Sequence, residues 1–276
     1  MANKKDFTNV YSYSKISRFE NCPKSYYFNY LDPEWKGFQK PADYKTKGSA
    51  IHGALTLFYN LKPEERNLNN LKDSLRNAWF SDTDVKKEPP LAEAGGFENI
   101  EHERKVYWES LKMLEKFFNM GDIEPPLFYM PTKNIKYSFC DYEEMIQPIN
   151  DSFSISGKFD RIDKLKDGSL RIIDFKTGNK SKNKAQLDFY KILAEMNFEI
   201  PVSLVSFYYL KTAEIVDFPI SNHSASEKIK KQVIEKLEKI KNTKEFEPNP
   251  TRLCDYCDFK PVCPVFNQGA KIDRIA

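Results

Sequence analysis

The sequence predicts an α/β fold with helices at its N-terminus and a helical insertion ahead of the sheet. Three observations carry this. Apolar residues recur at helical spacing before Pro131, as at Val106, Leu111, Leu114 and Phe118. After Pro131 they alternate, as Phe153, Ile155, Gly157 and Phe159 do with Ser154, Ser156, Lys158 and Asp160. Finally, Asp167-Gly168 between two alternating runs is a strong hairpin signal.

The elements follow in order. Residues 12–31 read as helical, capped by Ser12 or Ser14, with Pro23 suited to the first turn of a second short helix after Cys22. Residues 32–46 read as a loop and 48–60 as a helix carrying His52. Two more helices are expected at 68–80 and 98–120, separated by a loop with Pro89, Pro90, Gly95 and Gly96. Strands are expected at 135–149, 153–163 and 169–176, a helix at 184–197, strands at 202–210 and 214–220, and a long charged helix at 224–243. No repeat or low-complexity tract interrupts this order.

The 276 residues suit one domain with a substantial insertion, about 62–130, and a core at 132–222. Hydrophobic residues make up 40% and charged residues 30%, enough for a packed core under a solvated surface. No apolar run is long enough to cross a bilayer, and Met-Ala-Asn-Lys-Lys-Asp is no apolar signal segment. A soluble, cytoplasmic chain without membrane contact is the expectation.

The net charge of +3 neither demands nor excludes nucleic acid, so patches matter more. Lys176, Lys180, Lys182 and Lys184 meet no acidic residue until Asp188 and are read as phosphate contacts. The lysines from Lys228 to Lys244 interleave with Glu227, Glu235 and Glu238, which marks a solvated helix face. No G-x-x-x-x-G-K-[ST] phosphate loop occurs, so no ATP-driven motor is encoded here.

The most informative stretch is Gly157-Lys-Phe-Asp-Arg-Ile-Asp163 followed by Arg171-Ile-Ile-Asp-Phe-Lys-Thr-Gly178. A hairpin brings Asp160 and Asp174 to one region of the sheet. Two close carboxylates are unfavourable unless a cation joins them, and oxygen ligands suit Mg²⁺ or Mn²⁺. Lys176 shares a face with Asp174 by the strand period of two. Its ammonium is placed to position a water and offset phosphate charge. A polar hairpin edge is the bland alternative for Asp-x-Lys alone, but the longer string is far less common.

This string resembles the nuclease motif of the PD-(D/E)xK superfamily, in the form of RecB-type exonucleases and CRISPR-adaptation nucleases. The resemblance implies a restriction-endonuclease-like core with a mixed central sheet. It implies Asp160 and Asp174 as metal ligands, Lys176 as the catalytic lysine and the Phe175 carbonyl in the metal shell. His52, in Gly48-Ser-Ala-Ile-His-Gly53, resembles the family's N-terminal motif, whose histidine is a metal ligand; alone it would read as a helix-surface or core residue. Gln186 and Tyr190, one helical turn apart, match a Gln-x-x-x-Tyr pair near the family's active site. Core packing with Leu187 and Leu193 is the other reading of Tyr190. Arg161 and Asp163 read equally as active-site neighbours or as a structural ion pair, and Glu143 and Glu144 receive no role.

Five cysteines, an odd number, argue against a disulfide framework. Cys254, Cys257 and Cys263 give C-x₂-C-x₅-C, and Cys22 is the natural fourth ligand. Spacing alone leaves zinc and an iron–sulfur cluster open. The arrangement is similar to the [4Fe–4S] staple of AddB-type and CRISPR-adaptation nucleases, which implies a structural cluster joining residues 250–266 to Cys22. Cys140 is expected to be packed in the interior.

The expected function is therefore a Mg²⁺- or Mn²⁺-dependent DNA exonuclease acting on single strands or free ends. Its setting would be recombination, repair, phage replication or CRISPR adaptation, with a helicase or a CRISPR or repair protein as partner. The alternative is an inactive nuclease-like subunit that grips DNA or a helicase. Trp79, Phe97 and Trp108 are available for stacking on bases, though core packing is the commoner fate of such residues.

Overall fold

A computed structural model of the protein describes residues 9–81, 91–121, 128–129, 146–180, 183–220 and 225–267. In chain order they form β1 (Val10–Ser12), α1 (Tyr13–Asn21), α2 (Pro23–Tyr30), α3 (Asp43–Tyr59), α4 (Leu68–Ser81), α5 (Ile100–Asn119), β2 (Phe128–Tyr129), β3 (Ile146–Pro148), β4 (Ser154–Ser156), β5 (Arg161–Lys164), β6 (Leu170–Lys176), α6 (Ala185–Phe198), β7 (Val202–Tyr209), β8 (Glu214–Pro219) and α7 (Ala225–Asn242). The chain divides into two compact units. The described parts of 41–147 and 157–229 make the larger, and those of 1–40, 148–156 and 230–276 the smaller.

The larger unit is built on a five-stranded sheet ordered β2-β5-β6-β7-β8. It is mixed: β6 and β7 are parallel, and the other neighbours antiparallel. Helix α6 is the crossover that parallel neighbours require. The β5–β6 hairpin closes with Gly168 N–H donating to the Leu165 carbonyl at 2.9 Å. Gly168 has φ +85°, the left-handed conformation that glycine adopts without steric cost.

Alternation along β6 sends its side chains to two different environments. Ile173 and Phe175 join Ile51, Leu55, Phe58, Leu71, Leu114 and Phe117 in a core shared with α3, α4 and α5. Asp174 and Lys176 face the other way, toward the side on which α6 packs against β6 and β7. The helical part of this unit is tied together by Glu103, buried on α5. Its carboxylate accepts from Trp79 Nε1 (3.1 Å), Leu91 N (3.1 Å) and Ala92 N (2.8 Å). Trp79 and Phe97 are buried and stack on each other, whereas Trp108 is 62% exposed. Of the three aromatics considered for base stacking, two are therefore core.

In the smaller unit β1 and β4 pair in parallel. Ser12 caps α1 by accepting from Lys15 N at 3.3 Å, and Pro23 opens α2. Phe28, Trp35 and Phe259 form a small core, with Cys257 and Val262 against it. Asp258 accepts from Lys40 N at 3.1 Å, and Lys24 N donates to the Glu247 carbonyl at 3.2 Å. Both ends of the described chain thus meet in one unit.

Three expectations need adjusting. The run 153–163 is not one strand: β4 ends at Ser156, β5 starts at Arg161, and they belong to different sheets. The cause is Gly157, where a Cβ would lie 2.9 Å from Leu193 Cδ2 and 3.1 Å from Tyr190 Cε1. The chain presses against α6 there and leaves the strand path, a close approach that alternation does not encode. Helix α3 begins at Asp43 rather than 48. Pro41 ends the preceding segment, and Asp43 supplies a first-turn acid that complements the helix dipole. Of the strand expected at 135–149, Ile146–Pro148 is described; Cys140, Glu143 and Glu144 lie outside the described residues. No helix among the described residues is long and apolar enough to cross a membrane.

Candidate active site

Asp160 sits immediately before β5. The register Arg161↔Ile173 sets it beside the C-terminal half of β6, where Asp174 and Lys176 lie. Asp160 is held at both oxygens: Oδ2 accepts from Phe175 N at 2.8 Å, and Oδ1 lies 2.9 Å from His52 Nδ1. His52 arrives from α3, on the opposite face of the sheet from α6. Lys176 Nζ lies 2.6 Å from Asp174 Oδ2 and donates to Gln186 Oε1 at 2.7 Å. Gln186 Nε2 in turn donates to Tyr190 Oη at 3.3 Å. The Lys176 ammonium also lies 5.2 Å from the centre of the Phe207 ring. His52, Asp160, Asp174, Phe175, Lys176, Gln186 and Tyr190 are thus gathered around one end of β6. The Tyr190 ring packs on Phe159 at 5.5 Å while its hydroxyl meets Gln186.

Asp174 is the electrostatic centre. It is only 4% exposed, and its Oδ2 is buried with no directed hydrogen bond. The Lys176 ammonium forms an ion pair with that oxygen at 2.6 Å. Burial, followed by the charge of Asp160, raises the Asp174 carboxyl to about 6, against the lowering effects of Lys176 and His52. For His52, burial works against the charged imidazole, but Asp160 outweighs it and the pKa lies above the ordinary range.

A stability prediction follows from Asp174. Its folded pKa of about 6 exceeds the ordinary 3.8, so the folded chain holds this proton more tightly than the unfolded chain does. The associated stability is present at low pH and lost as pH rises through that window, on the order of 3 kcal/mol in full. In chelator, the stability of the wild type relative to Asp174→Asn should therefore fall between about pH 4 and pH 6. Parallel denaturation curves for the two proteins, unchanged in offset across that range, would contradict it.

The ion pair left open at Arg161 and Asp163 is structural in its geometry. Arg161 is 1% exposed and its Nε donates to Asp163 Oδ1 at 2.7 Å. Tyr59 joins this pair: its Oη accepts from Arg161 Nη1 at 2.8 Å. Sequence reasoning missed Tyr59, although it lies seven residues after His52, two turns along the same helix face. Among the clustered lysines, Lys176 pairs with Asp174, Lys180 with Glu214 and Lys184 with Asp188, so all three described members are paired; Lys182 lies outside the described residues.

Cys22, Cys254, Cys257 and Cys263 are free thiols, all part-buried and all in the smaller unit. Burial raises the Cys257 thiol above its usual range, and Cys22 is near enough to add to that rise. Asn249 N donates to Cys22 Sγ and Thr251 N to Cys254 Sγ, each at 3.4 Å. Among the described residues, no three His, Cys, Asp or Glu side chains form a ready cation cage.

The sequence profile of the PD-(D/E)XK nuclease superfamily matches residues 10–264, which span the acidic strands and the cysteine segment; the chain belongs to this superfamily. It is 22% identical, over 293 aligned positions, to the Gene 69 protein of Mycobacterium phage L5, covering 96% of this chain and all of that one. The Gene 69 protein of Mycobacterium phage D29 is 23% identical, over 92% of this chain and 96% of its own length. A subunit of the ATP-dependent helicase/deoxyribonuclease of Clostridium perfringens is 28% identical over 186 residues, 61% of this chain but 15% of that protein. The mixed α/β fold and a nuclease role thus stand together.

Proposed function

We propose that the protein is a divalent-metal-dependent DNA exonuclease that hydrolyses phosphodiester bonds in single strands or at free ends. The observation that carries this reading is the buried Asp174 oxygen without a directed hydrogen bond, beside a second carboxylate and a lysine. Lys176 answers one of the two negative charges, and a second carboxylate so close to the buried one is unfavourable unless a further cation joins them. Two carboxylates, the Phe175 carbonyl and one imidazole are a donor set that suits Mg²⁺ or Mn²⁺. His52, Asp160, Asp174 and Phe175 would hold the ion. When bound, the ion supplies Lewis-acid activation of a water and neutralises charge on the scissile phosphate.

The remaining work belongs to the chain. Phe175 N–H and His52 keep Asp160 from rotating. Lys176 pairs with Asp174 and is held by Gln186; its ammonium orients the attacking water and offsets negative charge developing on the phosphate. Tyr190 fixes the Gln186 amide so that its oxygen, not its nitrogen, faces Lys176. The Clostridium perfringens relative is named as a deoxyribonuclease, which favours DNA as substrate. The helicase in the same name favours a motor protein as partner, and the two phage relatives favour a phage setting.

The same reading assigns Cys22, Cys254, Cys257 and Cys263 to a structural [4Fe–4S] cluster, with zinc as the competing occupant. The chemistry of the donors fits, since a cluster takes four thiolates and these four are unpaired with one another. Two short 3₁₀ turns, Arg252–Tyr256 and Lys260–Val262, carry Cys254 and end at Cys257 and Cys263, and just ahead of them the Asn249 N–H donates to Cys22 Sγ.

One preparation tests both assignments. The protein is purified without oxygen, its iron, sulfide and zinc contents are measured, and end-labelled linear and circular single-stranded DNA are offered with Mg²⁺, Mn²⁺ or chelator. The expected result is stoichiometric iron and sulfide, with metal-dependent shortening of the linear strand and no cutting of the circle. Cutting of the circle would replace exonuclease by endonuclease action. Intact DNA under every condition would leave the alternative of an inactive DNA-gripping subunit.

A further inference from the structure

Among the described residues outside the catalytic cluster, Arg161 is one of the most deeply buried charges in the larger unit, and its surroundings assign it a task. Its guanidinium grips Asp163 with two bonds, Nε to Oδ1 at 2.7 Å and Nη2 to Oδ2 at 2.8 Å. A third donor, Nη1, reaches Tyr59 Oη at 2.8 Å, and the guanidinium carbon lies 5.2 Å from the centre of the Tyr59 ring. Arg161, Asp163 and Tyr59 are 1%, 4% and 2% exposed. None of them faces solvent, so none is placed to touch a substrate.

The positions of these residues in the chain are what matter. Arg161 directly follows Asp160, and Tyr59 follows His52 by seven residues on α3. Helix α3 is therefore joined to the start of β5 twice, by His52–Asp160 at 2.9 Å and by Tyr59–Arg161 at 2.8 Å. Seven helical residues rise about 10 Å, so the two contacts grip the helix two turns apart. The apolar core already holds α3 on the sheet; two polar contacts set two turns apart add directed constraints on its distance and phase. Asp163 keeps the arginine planar and in place through a paired fork that a lysine cannot reproduce.

We infer that the Tyr59–Arg161–Asp163 network is a positioning device that sets His52 against Asp160 and so shapes the metal site. The inference rests on the metal reading proposed above. Tyr59, Arg161 and Asp163 are positioning residues rather than catalytic ones, acting through the helix and strand that carry the ligands. Residues that orient metal ligands from behind typically alter metal affinity by about 10- to 100-fold when changed.

The test is Mn²⁺ binding measured by calorimetry on the full chain, without DNA. Tyr59→Phe keeps the ring and its packing but removes the acceptor for Arg161. It is expected to bind Mn²⁺ about tenfold more weakly than the wild type. Arg161→Lys should weaken binding at least as much, since an ammonium lacks the rigid planar fork that grips both Asp163 oxygens while reaching Tyr59. Trp79→Phe is the control: it removes the Nε1 donor to Glu103, a buried hydrogen bond in the helical part, and should lower the melting temperature with Mn²⁺ affinity unchanged. Wild-type Mn²⁺ binding together with unimpaired binding by Tyr59→Phe would overturn the positioning role alone. A wild type that takes up no Mn²⁺ would overturn the metal reading, and this inference with it.

Discussion

Replacing Asp174 by Asn is expected to reduce DNA cleavage on the order of 10³-fold or more, while leaving the protein at least as stable as before. The two halves of this expectation have one cause. Asp174 is buried at 4% exposure, its pKa is pushed up to about 6, and one of its oxygens has no directed hydrogen bond. A carboxylate in that setting is destabilising to the fold at neutral pH, and an amide is not. The same charge is what a cation needs. Asparagine keeps the volume and removes the charge, so metal affinity and activity fall together while the melting temperature in chelator above about pH 6 holds or rises. Lys176→Met should cost activity on a similar scale without restoring the metal site's balance, because it leaves Asp174 without the ammonium that pairs with it. Cleavage rates on end-labelled single strands, with melting curves on the same preparations, read both quantities. An Asp174→Asn protein that cuts DNA within about tenfold of wild type would end the assignment of this carboxylate to catalysis.

Much of the site is legible in the sequence because it lies on two adjacent strands and one helix with clear periods. Asp174 and Lys176 share a face by the strand period, and the Asp167-Gly168 turn returns the chain beside Asp160. Gln186 and Tyr190 share a face by the helical period, and they do meet Lys176 in a chain of hydrogen bonds. His52 is placed by resemblance alone; nothing in its spacing from Asp160, 108 residues away, announces a 2.9 Å contact. Tyr59 is invisible for the same reason, since its partner Arg161 lies 102 residues further on. The break of the strand at Gly157 is hidden because alternation continues through it. The decisive fact, the pressure of Tyr190 and Leu193 on that glycine, is a tertiary contact. The lysine cluster shows the same limit: Lys180 looks free of acids locally but finds Glu214 across the sheet.

Removing Asp163 should be the most damaging single change to stability. Asp163→Ala leaves the Arg161 guanidinium buried at 1% exposure without its paired carboxylate, an error that typically costs about 3–5 kcal/mol. Against a total stability of roughly 5–15 kcal/mol for a natural domain, that should appear as a large drop in melting temperature or in soluble yield. The double change Arg161→Met with Asp163→Leu removes both charges and fills the space with apolar atoms, and is expected to recover most of the loss. Recovery of stability should not bring recovery of function, because Tyr59 would still lack its partner and α3 its second attachment. Stability and Mn²⁺ affinity would then part company: the single variant loses both, and the double variant regains only the first. A double variant with restored Mn²⁺ affinity would instead mean that packing alone sets the helix against the strand. The charges would then be one way among several of filling the core behind Asp160.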